Sequence, residues 1–145
     1  MLTVKVHKLI PSVEIPKYAT EGSSGFDLAA AVDITVPPGQ CIQVLTGLAF
    51  AIPSGFELQI RPRGGFSFHN KAMIANTPGT VDSDYRGGVF ILIRNLGDET
   101  LHIKQGQRIA QGIVLPVLQA HFSEEKDWDP KETKRGIGAL GSTGE

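Results

Sequence analysis

From Thr3 to Leu9 the apolar Val4 and Val6 alternate with Lys5 and His7, a period of two that predicts a half-buried strand. Segments of the same kind recur at 26–30, 34–36, 40–46, 48–52, 56–61, 71–75, 89–95, 100–103 and 108–117. Between them stand Pro37-Pro38-Gly39, Pro53-Ser54-Gly55, Asn95-Leu96-Gly97 and Gln105-Gly106, residues that close tight turns. No segment sustains helical periodicity for three turns, and one short helix is expected near Ser67 to Asn70. The pattern predicts an all-β, jelly-roll-like antiparallel domain.

Composition agrees. Glycine and proline together make up about 18% of 145 residues, against an average of about 12%. That length predicts one domain. Residues 1–122 are expected to form the β domain, and 123–145 a charged strap and flexible Gly-rich C-terminal arm belonging to it. The formal net charge of −1 provides no electrostatic footprint for nucleic acid or an anionic membrane. Any anionic ligand must then be met by local chemistry. The single cysteine, Cys41, excludes an internal disulfide framework and lies in a strand pattern, CIQVL, that predicts a small buried apolar residue. The opening MLTVKVHKLIPSVEIPKY lacks the apolar segment of a signal peptide, and no run approaches a membrane span. An intracellular, cytoplasmic protein is expected.

Four glycine-bearing clusters carry more Ser, Thr, Arg and Asp than turns need: EGSSGFDL (21–28), RPRGGFS (61–67), NTPGTVDSDYRGG (76–88) and RGIGALGSTG (135–144). Gly-rich backbone exposes N–H groups to an anion, and flanking hydroxyls and guanidiniums add hydrogen bonds, a combination suited to polyphosphate. Neither a P-loop nor a strand-GxGxxG-helix unit is present. Asp27, Asp82 and Asp84 are the acids of interest. One of Asp82 and Asp84 could pair with Arg86 while the other orients water as a general base, or either could simply cap a turn. The four histidines, His7, His69, His102 and His121, lack metal-ligand spacing. The strap, SEEKDWDPKETK, reaches about 40 Å when extended, far enough to carry the Gly-rich end to another subunit, with Trp128 expected to anchor it on a surface.

Taken in order, SSGFDLAA, RPRGGFS, GTVDSDYRG, RIAQGIV and RGIGALGSTG resemble the five segments of the trimeric dUTPase family, the dUTP diphosphatases. The resemblance implies a jelly-roll homotrimer that hydrolyses dUTP to dUMP and pyrophosphate, at sites shared between subunits and closed by a neighbour's arm. It implies that Asp82 activates the attacking water, that Tyr85 packs under the deoxyribose, and that Asn76 with the hairpin backbone of Gly79, Thr80, Val81 and Phe90 reads the uracil. It places Arg63, Gly64, Gly65, Phe66 and Gln111 along the phosphates, and brings Arg135, Leu140, Gly141, Ser142 and Thr143 from the arm. A Mg2+ would ride on the substrate phosphates, with Asp27 touching its water shell.

Three positions depart from the family pattern. Gly64 stands where a serine hydroxyl is usual, Leu140 where an aromatic lies over the base, and Gly88 where an acid usually follows the Arg-Gly pair. The losses at Gly64 and Leu140 predict reduced activity and leave room for a non-catalytic or weakly active regulatory, nucleotide-binding protein on the same scaffold. A dCTP deaminase is the other alternative, and Asp82 in place of the Glu base expected there speaks against it.

Overall fold

The computed structural model describes residues 2–139. In chain order its elements are β1 (Lys5–Lys8), β2 (Phe26–Ala29), β3 (Ile34–Val36), β4 (Cys41–Ala51), β5 (Phe56–Pro62), α1 (Gly64–Asn70), β6 (Ala72–Ile74), β7 (Gly79–Val81), β8 (Gly88–Asn95), β9 (Leu101–Ile103) and β10 (Arg108–Pro116). Two four-stranded sheets, β1-β4-β8-β6 and β2-β10-β5-β7, pack around one core, with the pair β3-β9 completing it. The paired strands all run antiparallel. The fold is the expected all-β, jelly-roll-like one.

The alternation read from the sequence explains the core. On β8, Val89, Ile91 and Ile93 point inward while Phe90 and Arg94 face out. Val44 on β4, Leu58 and Ile60 on β5 and Ile109 on β10 meet them in one buried cluster. Among the described residues the two buried polar side chains are satisfied. Thr46 Oγ1 donates to the Val89 carbonyl at 2.6 Å, and Asn95 Nδ2 donates to the carbonyls of Val36 at 2.8 Å and Glu99 at 2.7 Å.

Three expectations need correction. Segments 40–46 and 48–52 are one strand, β4, because Gly47 (φ +68°) makes a bulge between Leu45 and Ala49 instead of a turn. The helix starts at Gly64, earlier than Ser67, because Phe66 anchors its first turn in the core. Cys41 is exposed: the phase of β4 that buries Val44 turns Cys41 and Gln43 outward. Trp128, expected to anchor the strap on a surface, is 76% exposed in the single chain.

Beyond Pro116 the described chain forms no further strand, and it is exposed almost throughout. Leu118 and Phe122 are 95% and 90% exposed. No helix among the described residues is long and apolar enough to cross a membrane.

Candidate active site

The crossing from β7 to β8 builds the first half of the site. β7 is three residues, Gly79-Thr80-Val81, paired with Ile60, Gln59 and Leu58 of β5. The chain then turns through Asp82-Ser83-Asp84-Tyr85-Arg86-Gly87 and enters the other sheet at Gly88. A cavity of about 210 Å³ lies in this bend, lined by Asn76, Gly79, Thr80, Val81, Asp82, Tyr85 and Phe90, with Ile60 and Val89 as apolar backing. Backbone, amide, aromatic ring and carboxylate thus meet in one small space. The Tyr85 hydroxyl donates to the Gly88 carbonyl at 3.2 Å, which folds the ring back over Gly87.

Arg86 does not pair with either neighbouring acid. Its Nη1 donates to the carbonyls of Ser83 at 2.7 Å and Tyr85 at 2.8 Å, so the turn's own backbone holds the guanidinium and Asp82 and Asp84 are left to other partners.

The second half lies on β2, β10 and the end of β5. Asp27 on β2 stands directly across from Gln111 on β10, which in turn faces Arg61 on β5. Arg63 Nε lies 2.6 Å from Asp27 Oδ1, and Arg108 Nη1 lies 3.1 Å from Asp27 Oδ2. Gln111 Nε2 donates to the Pro62 carbonyl at 2.9 Å. Gly25 makes room for that amide, since a Cβ there would stand 2.6 Å from Gln111 Oε1. Gly64 and Gly65 open the helix with nothing within 4 Å of where a Cβ would be, so their backbone is accessible. Phe66 differs from expectation: its side chain is 6% exposed and belongs to the core, which leaves only its backbone for a ligand.

A larger cavity, about 500 Å³, opens between the 12–17 loop and β2. Of the residues expected in the site, only Asp27 borders it, with Arg108 beside it.

The two halves do not meet within one chain. β2, β10, β5 and β7 are successive strands, so Asp27 and the hairpin stand three strand spacings apart, about 14 Å. Arg135 is also apart from both; its Nε donates to the Gly138 carbonyl at 2.9 Å within the arm. Leu140, Gly141, Ser142 and Thr143 lie outside the described residues. Among the described residues no three His, Cys, Asp or Glu side chains converge as a metal site. Arg108, Gly25 and Gly87 had no assigned part from sequence reasoning. The signal available was their place inside the quoted segments.

This is a β-sandwich with a small mixed polar and aromatic pocket at a sheet crossing and a separate cluster of arginines around one carboxylate, the division expected of a protein that grips a ring and an anionic tail apart. The family model for dUTPase matches residues 11–144, and the chain belongs to that family. It is 43% identical over 143 residues to the deoxyuridine 5'-triphosphate nucleotidohydrolase of Helicobacter pylori (strain P12), covering 99% of this chain and 97% of that one. To the enzyme of the same name from Rhizobium etli (strain CIAT 652) it is 49% identical over 136 residues, 91% of this chain and 86% of the other. Among solved structures, the Staphylococcus bacteriophage 80alpha dUTPase with dUPNHPP matches with a TM-score of 0.91 at 22% identity over 100% of both chains. The D95N mutant dUTPase of phage phi11, described as revealing the coordination of a structural Mg(II) ion, matches with a TM-score of 0.81 at 20% identity over 88% of this chain and 99% of that one. At such identities these structures speak to the fold.

Proposed function

We propose that the chain is a dUTP diphosphatase in which the hairpin pocket takes the deoxyuridine and the Asp27 cluster takes the phosphates. The observation that carries this reading is the convergence of Asn76, Asp82, Tyr85 and the β7 backbone on one cavity of about 210 Å³. That volume is below the range of pockets that hold whole drug-sized ligands, roughly 300–1,000 Å³. It suits a base with its sugar and leaves the phosphates outside.

In this mechanism the Asn76 amide and the backbone of residues 79–81 and 90 hydrogen-bond the uracil edge. A cytosine would leave buried groups unpaired, and the close wall excludes a thymine methyl. The Tyr85 ring forms the floor under the sugar. Asp82 accepts a proton from water as the water oxygen bonds to the α-phosphorus, and the bond from that phosphorus to the bridging oxygen breaks to release pyrophosphate. Arg63, Gln111 and the Gly64-Gly65 backbone hold the departing phosphates, and positioning with charge stabilisation supplies most of the rate. A Mg2+ carried by the phosphates would neutralise part of their charge, and Asp27, the acid at that end, would meet its water shell. Arg135, Leu140, Gly141, Ser142 and Thr143 would close the site from the arm.

A homotrimer follows from the same reading. The separation of the hairpin from Asp27, across the sheet, and from Arg63, along β5, calls for a second chain, and an arm with Leu118, Phe122, Trp128 and Ile137 exposed calls for a surface to cover them. Light scattering should give about three times the 15.6 kDa chain mass.

The decisive experiment is pyrophosphate release from dUTP with Mg2+. Wild type should turn over, and Asp82→Asn should be slower by roughly 10²–10⁴-fold. Binding of dUTP without turnover by the wild type would instead support the regulatory alternative.

A further inference from the structure

One carboxylate carries two guanidiniums at the β2/β10 edge, and a break in strand register puts the second one there. In a regular strand, Arg108 and Gln111, three residues apart, would point to opposite faces of the sheet. The ladder shifts between Arg108 and Ala110, so that Arg108 stands opposite Ala29 and Gln111 opposite Asp27. Positions 27 and 29 share a face, and therefore so do 108 and 111. Burial records the same event, since the adjacent Ile109 and Ala110 are both fully buried. Re-aiming a side chain is a common use of a bulge.

The bulge gives Arg108 two holds on the phosphate end. Its Nη1 reaches Asp27 Oδ2 at 3.1 Å, while Arg63 Nε takes the other oxygen at 2.6 Å. Its backbone carbonyl accepts from Arg63 Nη1 at 3.1 Å. Arg63 is thereby fixed from two sides through Nη1 and Nε, and among the described residues no partner takes its Nη2. We propose that Arg108 is a positioning residue for the triphosphate: it orients Arg63 through Asp27 and through its own carbonyl. The proposal rests on the dUTP reading above. It does not concern stability, because the Arg108 side chain is 61% exposed and an exposed ion pair contributes little to folding.

The test compares Arg108→Ala and Arg108→Lys with wild type in binding dUpNHpp, a non-hydrolysable triphosphate, and dUMP. Arg108→Ala should weaken dUpNHpp about five- to tenfold, a fraction of what hydrogen bonds to a charged group contribute, and leave dUMP affinity and Tm unmoved. Arg108→Lys, which keeps the charge and loses the fork, should recover part of the loss. For dUTP turnover the change should fall on KM more than on kcat. In an Arg63→Ala background the Arg108→Ala substitution should cost clearly less than in wild type. Equal losses for dUpNHpp and dUMP, no loss for either, or full additivity with Arg63→Ala would each overturn the positioning role. Should the alanine variant fail to fold, Arg108→Gln keeps the first part of the apolar stem and removes the guanidinium. A wild type that neither binds dUpNHpp nor hydrolyses dUTP overturns the function itself, an outcome distinct from these.

Discussion

Gly87 is where the sugar end of the site can be tested with a single methyl group. A Cβ at this position would overlap the Tyr85 hydroxyl and stand 2.5 Å from its Cζ and 3.0 Å from its Cε2. Real Cβ atoms do not approach a ring so closely, so Gly87→Ala must displace the Tyr85 ring. The ring can leave without unravelling the fold, because Tyr85 is 41% exposed and its hydroxyl makes one hydrogen bond, to the Gly88 carbonyl at 3.2 Å. The stability cost should stay within about 1 kcal/mol, a drop in Tm of about 2–4 °C at most for a chain of this size. Discrimination should suffer more. If the folded-back ring is the floor that excludes a 2'-hydroxyl, moving it removes a shape contact worth about 1–3 kcal/mol, roughly 10–200-fold in the ratio of kcat/KM for dUTP over UTP. The assay is pyrophosphate release from each nucleotide, with Tyr85→Ala as the reference for a missing floor. An unchanged dUTP-to-UTP ratio in Gly87→Ala, with the expected loss in Tyr85→Ala, would refute the claim that Gly87 sets the ring's position.

Three further outcomes are expected. Gly64→Ser places a hydroxyl where nothing lies within 4 Å of the new Cβ, and kcat/KM for dUTP should rise by up to about tenfold as a hydrogen bond to a charged group is gained; an unchanged or lower value counts against Gly64 facing phosphate. Lys71 closes α1 in the left-handed region at φ 47° and ψ 45°, so Lys71→Gly should stabilise the fold by about 1 kcal/mol even though the exposed Lys71–Asp98 pair is lost, and thermal unfolding would show it. The Gln105 backbone N–H and the Lys104 ammonium hold the Asp33 carboxyl below its ordinary value of 3.8, so its contribution is present above that value and is lost as pH falls through the lowered one. Asp33→Asn should therefore lose Tm near neutrality and show a shallower fall between about pH 5 and pH 2, read by calorimetry.

Strands with clean alternation were legible in the sequence because one face of each is core; β8 and β10 lie close to where the pattern put them. What was hidden has local causes. Gly47 looks like a turn and is a bulge, a distinction made by the partner strand and not by the residue. β7 is three residues of GTV inside a cluster dense in turn formers, too short for any period to show. Gly64 and Gly65 are poor helix formers, and only the burial of Phe66 decides that the helix includes them. The chemistry followed the same division. The loading of four glycine clusters with Ser, Thr, Asp and Arg marked the segments, but Asp27, Arg63 and Arg108 are 36 and 81 positions apart from Asp27 onward, and only sheet register brings them together.

Asp82 follows Val81, which pairs with Leu58, while Arg63 lies past the other end of β5, so one chain holds the two about 20 Å apart; the proposed site takes them from different copies, and subunit mixing can test this directly. Asp82→Asn removes the base and leaves the phosphate end intact; Arg63→Ala does the reverse. Each protein alone should be nearly inactive. In trimers assembled from an equal mixture, a site that draws its hairpin from one chain and its arginines from another finds an intact Asp82 half the time and, independently, an intact Arg63 half the time. About a quarter of the sites should then be whole. Pyrophosphate release from the co-assembled mixture should recover to that fraction of wild type, whereas two proteins purified apart and mixed without exchange should stay inactive. If a single chain supplied both halves, every site in every mixed trimer would carry one lesion, and no recovery would be seen.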